Sequence, residues 1–195
     1  MKKIDVKKLA RVLRVLVIIV FACNLIALFF VPALAAMSMV NGWDGQTMER
    51  LLTGELGIRL DFCIAAWHPF VWIMSMSEGD FYWPVLTLFL LICGVCTAII
   101  LWQAKRVLDT IIKENPFTQN NARSLKRAAV CCFVISGAAL VRLVWSLFYY
   151  RSPAPLATYN ALFVPIFLMG GLLFMVMSAL FRQAAELKDE NDLTI

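Results

Sequence analysis

The stretch ENPFTQNNARSLKRAA, residues 114–129, is a polar and basic block between two long apolar runs. Its Asn-Pro-Phe tripeptide predicts a turn, because proline disfavours helical backbone in the residue before it. Thr118 or Asn120 can then cap a new helix. An apolar stripe at helical spacing precedes the turn and consists of Val107, Leu108, Ile111 and Ile112. The block therefore predicts a helical hairpin over residues 103–127 that joins two membrane-spanning helices.

The composition indicates a membrane protein. Of the 195 residues, 62% are hydrophobic and 16% are charged, whereas a soluble domain has about 45–50% apolar and about 25% charged residues. The net charge of +5 comes from basic residues that cluster beside the apolar runs, which favours contact with lipid and a role in topology. We therefore expect the lipid bilayer as a partner and no direct nucleic-acid binding.

Four apolar stretches have the length that a membrane crossing requires, about 20 residues. We predict an all-α integral membrane four-helix bundle that forms a single membrane domain over residues 1–195. A polar tail over residues 182–195 follows the last span. The predicted spans are residues 15–40, 81–102, 128–150 and 159–181.

The distribution of lysine and arginine predicts the orientation. The connection over residues 41–80 has two basic residues, Arg50 and Arg59, against six acidic ones. The segment before the first span and the hairpin each have six basic residues: Lys2, Lys3, Lys7, Lys8, Arg11 and Arg14, and Lys105, Arg106, Lys113, Arg123, Lys126 and Arg127. By the positive-inside rule, both termini and the hairpin lie in the cytoplasm. The chain is thus expected to be a multi-pass protein of the cell (plasma or inner) membrane.

Two features compete with this topology. The segment Leu60–Met76 is almost long enough to span, but a fifth span would put the basic hairpin outside, so we predict an interfacial segment with Trp67 and Trp72 at the membrane surface. The Ala-x-Ala pattern at Ala33–Ala35 is typical of signal-peptide cleavage. The apolar run before it exceeds the usual length of about 7–15 residues, which favours an uncleaved helix.

Arg142 is a candidate intramembrane polar site, because it is the one ionisable residue well inside a predicted span. Such residues are functional candidates by default. Structural bridging or snorkelling of its long side chain is the favoured interpretation. The alternative is a small transporter, or a subunit of a transport complex, that uses Arg142.

The cysteines raise a second alternative, a membrane thiol redox protein. Cys93 and Cys96 form a C-x-x-C pair on the second helix, and helical rise places Cys96 and Cys131 at comparable depth. Cysteine as a small apolar residue in a helix interface is the favoured interpretation. The single histidine, His68, excludes paired-histidine metal motifs. With neither a triad nor a phosphate-binding glycine loop, we expect no enzyme, no catalytic residue, no bound metal and no cofactor.

The stretch AAELKDENDLTI, residues 184–195 of the tail, is the second polar block. The fourth helix is expected to continue through it, and its acids could complement the basic hairpin. Either the two blocks bind each other, or together they bind a third component. The candidate partner-binding residues are Phe117, Thr118, Asn121, Arg123, Leu187, Glu190, Asp192, Leu193 and Ile195.

The P-F-T turn before a polar helix and the closing E-x-D-L-T-I element make residues 103–195 resemble the domain-of-unknown-function family 2975. The resemblance implies a small bacterial protein with four membrane helices and no assigned activity. Members are commonly encoded beside a very small helix-turn-helix transcription regulator. The resemblance thus implies a non-enzymatic regulatory or sensory membrane protein that sequesters or tunes such a DNA-binding regulator through the hairpin and tail. A homo-oligomer is compatible with the same pattern.

Overall fold

The computed structural model describes residues 6–41, 64, 66–68, 82–113, 115–151, 153, 156 and 159–193. These residues form four long helices and no strand. The helices are α1 (Val6–Asn41), α2 (Tyr82–Ile112), α3 (Gln119–Tyr150) and α4 (Tyr159–Leu193).

All four helices are long and apolar enough to cross a membrane, which confirms the predicted all-α class and the number of spans. The membrane-capable segments are Lys7–Ala33, Pro84–Ile112, Gln119–Tyr149 and Ala161–Asn191. As predicted, α2 continues to the Asn-Pro-Phe turn and α4 continues through the polar tail. Most of the segment predicted to be interfacial, including Trp72, lies outside the described residues, so its membrane position stays a prediction.

The chain divides into two compact units. The smaller unit covers residues 25–92. In it, the indole Nε1 of Trp67 donates a hydrogen bond to the carbonyl oxygen of Phe29 over 3.0 Å. Ala33 and Ala66 are buried against each other with Phe30 packed beside them. Trp67 is thereby tied to the second half of α1.

The larger unit covers residues 1–24 and 93–195 and contains parts of all four helices. In this unit α1 and α2 are joined by an ion pair between Arg14 Nε and Asp109 Oδ1, 2.8 Å apart. The rings of Phe21 and Trp102 also meet, with their centroids 5.9 Å apart. An ion pair therefore joins the first part of α1 to the end of α2. Aromatic packing joins the two helices farther from these ends.

Two serine hydroxyls set the antiparallel register of α3 and α4. Ser136 Oγ donates to the carbonyl oxygen of Val164 over 2.9 Å, and Ser178 Oγ donates to the carbonyl oxygen of Ala122 over 2.7 Å. The two bonds are fourteen residues apart on both helices (122 to 136, 164 to 178), which is about four helical turns. Serine-to-carbonyl bonds are a recurrent way to join helices in membranes.

Small residues line part of this contact. The sequence predicts close helix packing at Ser136–Ala139, and the structure buries Ser136 and Ala139 to 6% and 0% exposure. Gly137 lies on the open side, where an added Cβ would meet nothing within 4 Å. On α4, a close approach occurs at Gly171, beside the ring of Phe133. Within the small patch, only Ser136 and Ala139, which are three residues apart and so on one helix face, are buried.

Candidate functional site at the hairpin and the end of α4

The hairpin between α2 and α3 has the predicted turn and a defined cap. The amide N–H of Asn115 donates to the carbonyl oxygen of Thr110 over 3.1 Å, which closes the end of α2. Thr118 has extended backbone (φ −133°, ψ 147°), and its hydroxyl accepts a hydrogen bond from the amide N–H of Asn121. Of the two predicted caps, Thr118 is therefore the one used. A threonine oxygen at this position satisfies a backbone donor that the first helical turn leaves free.

Asn121, a predicted partner-binding residue, instead lies inside the hairpin. Its side chain is 2% exposed. Its amide nitrogen donates to the carbonyl oxygen of Pro116 over 2.6 Å and to the hydroxyl of Thr110 over 2.5 Å. The amide thus joins the last turn of α2, the proline turn and the first turn of α3. A buried amide with these bonds cannot also contact a partner, so that assignment is corrected to an internal structural role.

The end of α4 packs against this hairpin. The rings of Phe117 and Phe181 are in contact, with centroids 5.5 Å apart. Farther along, Lys188 Nζ donates to Asn115 Oδ1 over 2.9 Å. Ala185 lies between these two contacts along α4 and is 2% exposed. The two polar blocks therefore contact each other, which was the first of the two sequence-based alternatives.

Several predicted partner-binding residues remain accessible. Phe117 is 47% exposed despite its contact with Phe181, and Leu187 is 62% exposed. Every described side chain from Glu186 to Asn191 is exposed, including Glu190. The backbone of Asp192 and Leu193 continues α4, whereas their side chains and Ile195 lie outside the described residues. The surface open to a partner thus consists of the edge of Phe117 and the last described turns of α4.

Arg123 lies in a separate groove between α2 and α3. The groove has a volume of about 400 Å³ and is lined by Ile99, Arg123, Lys126, Arg127, Val130 and Cys131. From the sequence, all three basic residues served to predict orientation, and Arg123 was also a candidate partner-binding residue. Their i, i+3, i+4 spacing places them on one helix face, and this spacing was the available signal for the groove.

Cys96 and Cys131, which helical rise places at comparable depth, lie beside each other. The thiols of Cys96 on α2 and Cys131 on α3 lie within interaction distance of each other, and Cys132 lies nearby. All five described cysteines are free thiols; Cys63 lies outside the described residues. In the described part of the chain, no three His, Cys, Asp or Glu side chains form a group that could hold a metal ion. The contact is compatible with plain helix packing.

Arg142 is half-buried on α3, near Cys93 of α2. It makes an interaction within the protein. The structural bridge favoured from the sequence stays a prediction.

The comparisons with known proteins assign a family. Residues 69–195 match the family described as "Protein of unknown function (DUF2975)". The match includes the whole of α2, α3 and α4, and so begins earlier in the chain than the resemblance over residues 103–195. No curated protein and no solved structure is significantly similar to the chain.

Proposed function

We propose that this chain, which belongs to the DUF2975 family of proteins of unknown function, is a non-enzymatic regulatory protein of the bacterial inner membrane. Its hairpin and tail lie in the cytoplasm, where they bind a small helix-turn-helix transcription regulator. Binding holds the regulator at the membrane and away from DNA. The chain thereby acts as a membrane anchor whose occupancy sets how much regulator is free.

The observation that carries this proposal is the exposed end of α4. Beyond the buried Ala185, the helix continues to Leu193 with Leu187 62% exposed among charged side chains. An exposed leucine on a helix is a typical anchor for a groove on a partner protein.

The charge of this segment suits a DNA-binding partner. Four acidic residues follow one another closely in the tail: Glu186, Asp189, Glu190 and Asp192. DNA-binding proteins present a basic surface to the phosphate backbone. An acidic helix that occupies the same surface competes with DNA through complementary charge. Sequestration at the membrane then follows from competition for one surface.

The hairpin has a supporting role in this scheme. The contact of Phe117 with Phe181 and the hydrogen bond from Lys188 to Asn115 hold the end of α4 in one position. A helix that is already ordered loses less conformational entropy when it binds. The hairpin therefore preorganises the docking helix, and Phe117 adds an apolar edge to it.

The test is an affinity pull-down from gently solubilised native membranes, with bound proteins identified by mass spectrometry. The full chain is compared with a chain truncated after Ala185, with Leu187→Ser and with Arg182→Gln. The last variant is the matched control, because Arg182 is exposed on the same helix and, among the described residues, pairs with its neighbour Glu186 over 2.9 Å. We expect the full chain and the control to retain a small helix-turn-helix protein, and the other two variants to lose it.

A gel-shift assay with the purified regulator then measures competition with DNA. Addition of the full chain in detergent is expected to release the regulator from its DNA site, and the truncated chain is expected to have no effect. Equal retention of the regulator by the truncated chain would remove the tail from the proposal. If no variant retains a soluble protein, the transport hypothesis based on Arg142 takes its place, and flux through Arg142→Leu is the next measurement.

A further inference from the structure

The groove between α2 and α3 has a charged end and an apolar end. Arg123, Lys126 and Arg127 lie at one end, and Ile99, Val130 and Cys131 line the rest. Val130 follows Arg127 by one helical turn, which places it about 5 Å farther along the helix. Both helices belong to the membrane-capable set. The groove therefore passes from a cluster of positive charge to the apolar surface of a membrane span.

The three basic residues gather positive charge in one groove. Within the described part of the chain, none of the three side chains forms an ion pair or a hydrogen bond. All three are exposed on one face of α3, where like charges at i, i+3 and i+4 repel one another. Some cations near the same end of the helices have partners: Arg14 with Asp109, Lys105 with the Trp102 ring, Arg182 with Glu186, and Lys188 with Asn115. What distinguishes Arg123, Lys126 and Arg127 is that all three line one groove. An anion between the three side chains would remove this repulsion.

We propose that this groove binds an anionic phospholipid. The phosphodiester of the headgroup lies among Arg123, Lys126 and Arg127, and an acyl chain follows Ile99 and Val130 along the helices. Arginine and lysine bind phosphate through charge-assisted hydrogen bonds. A phospholipid has the same order of charge and apolar surface as the groove, whereas free phosphate would leave the apolar wall unused. Basic pockets between membrane helices are known to accept such headgroups.

This site goes beyond the proposed regulator function and does not depend on it. It assigns Arg123 to lipid, and leaves Phe117 and the end of α4 as the surface for a protein partner. Because α3 begins at Gln119, just after the Thr118 cap, a lipid on Arg123 would also fix the membrane depth at which the hairpin emerges.

The test uses the purified full chain in detergent and native mass spectrometry. Phosphatidylglycerol and phosphatidylcholine with identical acyl chains are added separately, and the fraction of chain with bound lipid is measured. The site variant replaces Arg123, Lys126 and Arg127 with glutamine. The matched control replaces Lys7, Lys8 and Arg11 on α1 with glutamine, which removes the same amount of charge from another helix. Circular dichroism and size-exclusion chromatography check that both variants fold.

We expect the full chain and the α1 control to prefer phosphatidylglycerol. Each basic residue near an anionic lipid contributes about fivefold in affinity, so the site variant should lose about a hundredfold. Lys126→Arg, which keeps the charge, should bind as the full chain does. Ile99→Trp fills the apolar part of the groove without changing charge and should weaken lipid binding as well.

Three results would overturn the assignment. Equal loss in the site variant and the α1 control would show diffuse attraction to net charge. Displacement of the lipid by millimolar inorganic phosphate would make the groove a free-anion site. Equal binding of phosphatidylglycerol and phosphatidylcholine by the full chain would show that the three basic residues do not select the headgroup.

Discussion

Replacement of Gly171 by alanine is expected to destabilise the contact between α3 and α4, whereas the same change at Gly170 is not. A Cβ at Gly171 would lie 2.7 Å from Cε1, 2.9 Å from Cδ1 and 3.1 Å from Cζ of Phe133. Carbon atoms pack best at about 3.5–4.0 Å. The ring or the helix must therefore move by about 1 Å to relieve the contact. A Cβ at Gly170 meets nothing within 4 Å.

The magnitude follows from two opposing terms. Alanine in place of glycine inside a helix gains up to about 1 kcal/mol in helix propensity, and this gain is common to both positions. Overpacking a well-filled contact costs about 1–3 kcal/mol, and only Gly171→Ala has this cost. The two variants should therefore differ by roughly 2 kcal/mol, with Gly170→Ala as stable as the original chain or slightly more stable.

Thermal unfolding in detergent, followed by circular dichroism, measures the difference. For a chain of this size, 2 kcal/mol corresponds to roughly 4–8 °C in Tm. The double variant Gly171→Ala with Phe133→Ala tests whether the ring causes the loss, because removal of the ring removes the overlap. In a double-mutant cycle, the double variant should lose less stability than the sum of the two single variants. Equal melting temperatures for Gly171→Ala and Gly170→Ala, or a cycle without coupling, would show that Phe133 does not limit the space at Gly171.

Three further substitutions test other contacts by the same melting assay. Asn121→Ala removes the side-chain amide that joins Thr110 and Pro116. It should lower the free energy of unfolding by about 1–3 kcal/mol, since the two oxygens lose a buried donor. An unchanged Tm would show that these two hydrogen bonds do not stabilise the hairpin. Gln103→Met should raise the Tm, because Gln103 is 6% exposed and its Oε1 has no hydrogen-bond partner among the described residues, and removing a buried unpaired oxygen is favourable. Arg14→Asp and Asp109→Arg should each lower the Tm, because each breaks the 2.8 Å ion pair. The charge-swapped double variant should restore part of the loss, since it forms the pair again with the charges exchanged.

Much of the architecture was predictable from the sequence, because it depends on local properties of the chain. Long apolar stretches predict the four helices, since a backbone in lipid must satisfy its own hydrogen bonds. The Asn-Pro-Phe turn and the Thr118 cap follow from the backbone preferences of a few neighbouring residues. The extension of α4 to Leu193 follows from the helix-forming residues of its tail. These features require no knowledge of what the helices touch.

The contacts that define the candidate sites depend instead on how each helix is rotated and aligned against its neighbours. Helical rise predicts that Cys96 and Cys131 lie at one depth, but only the packing of α2 on α3 shows that the thiols meet. Asn121 and Arg123 are two residues apart in the same polar block. The sequence therefore predicts that both side chains are accessible. Rotation of α3 buries the first in the hairpin and places the second in the basic groove, because residues two apart on a helix do not share a face. Sequence thus determined which segments are helical, and tertiary packing decided which of their polar side chains remain free to bind.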